Sequence, residues 1–195
     1  MDCLEFSIKS LEEKCKDWGI EISKDYQPDL IVFVARGSYL IGKALSKYFG
    51  VPLIAVGAER SGNNFKEFLA PFLSVLPRWF CNLLRKVELK SNVHKKKEKR
   101  NIKFLDTIDK YKNKSIAILI VDDSIDTGNS MKQVIELVKF ELPESIIRVA
   151  ALNVWDESEN IIKADYYCYR NAIMRTPMSK DSKEYEFFKR MYAER

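Results

Sequence analysis

Apolar positions fall along this chain in two rhythms. Unbroken apolar runs of strand length stand at residues 30–35, 53–57 and 116–121. Runs of Ile, Leu and Val without alternation read as strands buried on both faces. Residues 145–154 and 164–169 add two more strand-like runs, and 102–105 a short one. Between them apolar residues recur at helical spacing. Leu4, Ile8, Leu11 and Cys15 predict a helix from Cys3 to about Trp18, ended or kinked at Gly19. A second helix is predicted over 40–49, and a third over 127–140 with Met131, Val134, Ile135 and Val138 on one face. A last helix is predicted over 182–192. Strand, helix and strand in this order make right-handed βαβ units. The expected fold class is α/β: a mostly parallel twisted sheet flanked by helices, in a single domain over 1–195.

One region breaks the rhythm. Residues 65–87 carry an apolar helical stripe, from Phe65, Phe68 and Leu69 to Leu84 and Val87, interrupted by Pro71 and Pro77. The prolines predict two short helices rather than one. Core packing, a homodimer face and an interfacial membrane helix compete for this stripe, and the prolines favour packing or dimerisation. A basic run, including His94, Lys95 and Arg100, follows over 91–100 and reads first as solvated. Residues 59–100 are thus expected to form a helical insertion.

Composition narrows the function classes. With 195 residues and 46% hydrophobic content, the chain can bury a substantial core. The net charge of +5 is modest for a dedicated nucleic-acid binder but suits a phosphate-rich small substrate. The four cysteines, Cys3, Cys15, Cys81 and Cys168, have no metal or redox spacing, and are expected to be reduced and mostly buried in a cytoplasmic protein. No run reaches the roughly 18 apolar residues of a membrane span.

The candidate chemistry lies at the end of the 116–121 run. Asp122 and Asp123 stand there side by side, where ligands of open α/β sheets bind. Ser124, Ile125 and Asp126 follow, and then the polar turn Thr127-Gly128-Asn129-Ser130 opens a helix and offers backbone N–H groups to an anion. Asp126 is also a plausible helix cap by residue type. A second strand–loop–helix junction, Ala35-Arg36-Gly37-Ser38, precedes the 40–49 helix, and Arg60 leaves the third strand as either a phosphate contact or a solvated loop residue.

The stretch from Ile118 to Ser130 resembles the ribose-phosphate-binding motif of the type I phosphoribosyltransferases, nearest in pattern to the bacterial xanthine–guanine and hypoxanthine enzymes. That resemblance implies transfer of a phosphoribosyl group from phosphoribosyl pyrophosphate to a nitrogenous base, with Mg²⁺. Asp122 and Asp123 would hold the ribose hydroxyls, and the metal mostly through water and substrate. Thr127, Gly128, Asn129 and Ser130 would cradle the 5′-phosphate. Arg36, Gly37 and Ser38 would form the pyrophosphate loop, where the family often holds a cis non-proline bond, and the serine hydroxyl would join it. Asp126 would sit beside N7 of the base, which favours a 6-oxopurine. Part of 59–100 would form a mobile loop over the site, and residues 155–180 a small hood over the base, with Trp155, Tyr166 and Ile173 as contacts. The bacterial xanthine–guanine members carry two tryptophans in the region corresponding to 173–178, and this chain has neither. The resemblance leaves a second outcome, a regulator on the same fold that binds phosphoribosyl pyrophosphate or a nucleotide without catalysis.

Overall fold

A computed structural model describes residues 3–58 and 102–195. Arg60, the stripe at 65–87, the basic run at 91–100 and the insertion expected over 59–100 lie outside the described residues.

Six strands form the central sheet: β2 (Leu30–Val34), β3 (Leu53–Ala58), β4 (Ile102–Phe104), β5 (Ala117–Ile125), β6 (Ile146–Val154) and β7 (Tyr166–Arg170). Their spatial order is β4-β3-β2-β5-β6-β7. Parallel pairing joins β3 to β2, β2 to β5, β5 to β6 and β6 to β7. The unalternated runs explain this placement. Ile31 and Phe33 of β2 and Leu119 and Val121 of β5 pack with α1 (Ile8–Ile22), α2 (Tyr39–Phe49) and α4 (Tyr185–Ala193) on one face. Leu30, Val32, Ile118 and Ile120 pack with Met131, Val134 and Val138 of α3 (Asn129–Glu141) on the other. A strand with a core on both faces has no polar side, so hydrophobic alternation disappears from its sequence.

The chain leaves β2 outward to β3 and returns past it to β5 on the other side. The crevice beyond the carboxyl ends of β2 and β5 is therefore the topological switch point, where open α/β sheets bind ligands. Both candidate loops open from these two strands.

Several boundaries differ from the periodicity. Cys3–Glu5 is not helical but a short strand, β1, paired in parallel with β8 (Ile173–Arg175) in a separate two-stranded sheet. Helix α1 starts later because Ser7 caps it: the Ser10 N–H donates to Ser7 Oγ at 3.1 Å, and the Ser7 N–H donates to Ser10 Oγ at 2.9 Å. It also runs through Gly19, against which the Tyr48 ring packs, to Ile22. Cys15 and Cys168 are unpaired thiols, each pushed up to about 12 by burial, whereas Cys3 is exposed.

Candidate active site

Strand β5 continues through both aspartates. Its pairing with β6 extends to Ile125 opposite Val154, while its pairing with β2 stops at Val121 opposite Phe33. Asp122 and Asp123 thus lie in a strand that has lost only one neighbour, and the unpaired flank opens on the switch-point crevice. Regular strand alternation would send the two side chains to opposite faces, but here the two carboxyl groups lie close enough to share a hydrogen bond. The expectation that the strand ends at the pair is corrected: it ends for β2 alone.

The loop from β2 closes on the second carboxylate. A Cβ on Gly37 would lie 2.9 Å from Asp123 Oδ2 and 3.1 Å from its Cγ. Glycine is what lets this backbone approach the carboxylate. The Ala35–Arg36 peptide bond is cis. Ser38 does not present its hydroxyl to the crevice: the side chain is fully buried, and its O–H donates to the Val34 carbonyl at 2.6 Å. Its N–H also points to Val34 O, at 3.3 Å. Arg36 is exposed, its guanidinium 5.7 Å from the centroid of the Tyr192 ring.

The two aspartates are half-buried and interact closely. The Asp123 N–H donates to Asp122 Oδ1, and the Ser124 N–H donates to Asp123 Oδ1, both at 2.9 Å. Burial, and then the charge of Asp123, hold Asp122 well above the ordinary carboxylate value. Burial raises Asp123 too, opposed by the hydrogen bond it shares with Asp122 and by the Ser124 N–H. Without a ligand both carboxyls therefore hold their protons more tightly than a free aspartate does, Asp122 above all.

The phosphate-type turn follows. Gly128, at φ 81°, is the N-cap of α3, with no side-chain capping bond. The first N–H groups of α3 consequently have no intrahelical acceptor and face outward from the cap. The Asn129 side-chain amide donates to Thr127 Oγ1 at 3.2 Å, which occupies the hydroxyl as an acceptor and leaves its proton free to donate. A Cβ on Gly128 would lie 2.6 Å from Ile162 Cγ2 and 3.1 Å from the Ser158 carbonyl oxygen. The turn is thus pressed against the segment after β6, which includes a 3-10 turn, Asp156–Asn160. Asp126 does not cap the helix. It is exposed, and its Oδ1 accepts the Ser124 hydroxyl at 2.7 Å.

Two residues the sequence did not single out complete this corner. Ser124 holds Asp126. Asn153, 1% exposed on β6, accepts the Ala172 N–H at 3.0 Å and reaches Ser124 Oγ at 3.5 Å. Strand periodicity could have found Ser124, two residues after Asp122, and a lone Asn in the apolar β6 run could have flagged Asn153. The Trp155 N–H donates to Ile125 O at 3.0 Å, so its backbone adjoins Asp126. Ile173 is 46% exposed on β8. Tyr166 is not brought to this corner: its hydroxyl donates to Asp25, at the other end of the sheet, at 3.0 Å.

A family model for the phosphoribosyl transferase domain matches residues 7–173. The chain belongs to this family. Among solved phosphoribosyltransferases, that of purines from Pyrococcus horikoshii is 21% identical, covering 93% of this chain and 97% of its own, at a TM-score of 0.62. The xanthine-guanine-hypoxanthine phosphoribosyltransferase of Helicobacter pylori is 14% identical, covering 95% and 99%, at 0.63. A hypothetical protein from Neisseria gonorrhoeae with bound ppGpp is 13% identical, covering 100% and 99%, at 0.54. These likenesses are likenesses of fold. No curated protein matches the chain significantly in sequence. Among the described residues no helix is long and apolar enough to cross a membrane.

Proposed function

We propose that this phosphoribosyltransferase-family protein moves the 5-phosphoribosyl group from phosphoribosyl pyrophosphate to a 6-oxopurine and releases pyrophosphate. The observation that carries this reading is the approach of the Gly37 loop to the Asp123 carboxylate at the flank of β5 that β2 leaves unpaired, a few residues before the Thr127–Ser130 turn that opens α3.

The 5′-phosphate fits the outward N–H groups at the start of α3, with the Thr127 and Ser130 hydroxyls as further donors. Ribose hydroxyls fit the raised carboxylates, because hydrogen bonds from a diol favour the ionised form that burial disfavours. The Gly37 loop, next to Asp123, would take the pyrophosphate. Holding both ends of the donor fixes its orientation, the largest contribution such a site can make before any bond breaks. As the bond to pyrophosphate lengthens, negative charge grows on the leaving oxygen, and backbone donors and Arg36 beside the loop stabilise it. Asp126, held by Ser124, has its second carboxylate oxygen left to accept a proton from a purine N7.

Mg²⁺ fits the residues present in a limited way. Among the described residues no group of three or more His, Cys, Asp or Glu side chains forms a metal site. An adjacent carboxylate pair matches how this cation is held, through one or two carboxylates, waters and phosphates. Asp122 and Asp123 would hold it, and when bound it would offset the charge on the departing pyrophosphate.

The likeness to the Neisseria gonorrhoeae protein with bound ppGpp favours one second reading, a nucleotide-binding regulator on this fold. One assay separates the two. The protein is incubated with Mg²⁺, phosphoribosyl pyrophosphate and each of guanine, hypoxanthine, xanthine, adenine, uracil and orotate, and pyrophosphate release is followed. Turnover with one or more of the first three is expected. Turnover with only the last three rejects the base assignment, and none with any, despite ligand binding, favours the regulator.

A further inference from the structure

Helix α4 follows every motif of the proposed site, yet its last turn reaches the loop after β2. Two guanidinium groups approach the Tyr192 ring, Arg36 at 5.7 Å and Arg195 at 5.3 Å from its centroid. Both lie within the roughly 6 Å at which a ring face attracts a cation. The ring is itself fixed. It meets the buried Tyr39 ring edge-on, with centroids 5.1 Å apart and an interplanar angle of 85°, and the Phe188 ring at 5.9 Å.

The two cations differ. Arg195 Nη1 pairs with Asp106 Oδ2 at 3.1 Å, and the same carboxylate oxygen accepts the Ala55 N–H of β3 at 2.7 Å. Arg195 is therefore neutralised and tied to the sheet. Arg36 has no carboxylate partner among the described residues, where its guanidinium meets the Tyr192 ring. Its charge is held next to the cis Ala35–Arg36 bond and Gly37, on the loop that abuts Asp123. A flexible arginine on a surface loop samples many rotamers, and ordering it on binding opposes affinity. A ring contact fixes the stem without neutralising the charge.

We propose that Tyr192 is a positioning residue that holds Arg36 ready for the pyrophosphate group of the donor, with Arg195 and Asp106 anchoring the end of α4. This rests on the reading of the crevice as a phosphoribosyl pyrophosphate site. An exposed contact of this kind corresponds to about a two- to fivefold change in affinity.

The test is a double-mutant cycle on the full chain, read by calorimetric titration with phosphoribosyl pyrophosphate and Mg²⁺. Tyr192→Leu is expected to raise the dissociation constant about two- to fivefold, and Tyr192→Phe, which keeps the ring, to restore it. In the Arg36→Gln background Tyr192→Leu is expected to add nothing, which a merely structural role of the ring would not produce. An equal loss in both backgrounds, or no loss in either, overturns the proposal. Should Tyr192→Leu not fold, Tyr192→Met is measured in the same cycle. Absence of binding by the unsubstituted protein overturns the site reading and this inference with it, whereas binding with an additive cycle overturns this inference alone.

Discussion

Replacing Gly128 with Ala tests how tightly the phosphate turn is built into the fold. Two costs are separable. A non-glycine residue in the left-handed region costs roughly 1–2 kcal/mol. The new Cβ would also lie 2.6 Å from Ile162 Cγ2 and 3.1 Å from the Ser158 carbonyl, one of them backbone that cannot swing aside. Overpacking of that kind adds roughly 1–3 kcal/mol. Gly50, the C-cap of α2, supplies the control: its φ is 67°, and nothing lies within 4 Å of its Cβ position. Gly50→Ala therefore carries only the first cost. Equilibrium unfolding in urea of the two variants should place the Gly128→Ala midpoint below the Gly50→Ala midpoint by roughly 0.5–1.5 M, for a slope near 2 kcal/mol/M. The protein can relieve the contact by moving the turn off the 156–162 segment, so Gly128→Ala should also weaken donor binding while Gly50→Ala does not. Equal midpoints for the two variants would refute the claim that the turn is wedged against Ser158 and Ile162.

Further outcomes follow from the same geometry. Asp122 and Asp123 have folded-state values raised above the unfolded 3.8, so their contribution to stability is present at low pH and lost as pH rises through the raised values. Asp122→Asn should flatten this loss, giving a ligand-free protein that melts higher than the unsubstituted one at neutral pH, and a melting profile that keeps its full pH dependence would count against the raised values. Tyr26 shares its one hydroxyl proton between Ile118 O at 3.0 Å and Ile146 O at 2.8 Å, at the end of the sheet remote from the crevice. Tyr26→Phe should cost about 1–2 kcal/mol in urea unfolding with donor affinity unchanged, and a parallel loss of affinity would show that the two ends of the sheet are not independent. Asp126→Asn should lower the turnover number with a 6-oxopurine well below that of the unsubstituted protein while donor affinity is retained, and undiminished turnover would remove Asp126 from the chemistry.

What the sequence discloses follows from where burial and polarity coincide. The runs of β2, β3 and β5 are legible because both their faces are buried, and only strands of a covered sheet lose alternation. Residues 122–130 are legible because carboxylates, glycine and hydroxyl residues crowd a strand exit. By contrast β1 and β8 are three residues each, β1 is wholly exposed, and they pair only with each other, so no hydrophobic pattern marks them. Helix α1 is shifted from its periodic start because the Ser7–Ser10 capping box outweighs the apolar Leu4. Ser38 and Tyr166 fit the crevice by residue type, but hydroxyls turn to whichever acceptor is near, and here those are Val34 O and Asp25. No local pattern joins Arg36 to Tyr192, which are brought together only by the packing of α4 on α2 and β2.

The crevice between β2 and β5 is tested most directly by titrating phosphoribosyl pyrophosphate with Mg²⁺ into the protein and into the Asp122→Asn/Asp123→Asn variant in a calorimeter. Saturable binding at a single site in the first and its loss in a variant that still unfolds cooperatively is the predicted result. The same affinity in both, or no binding in either, would contradict it.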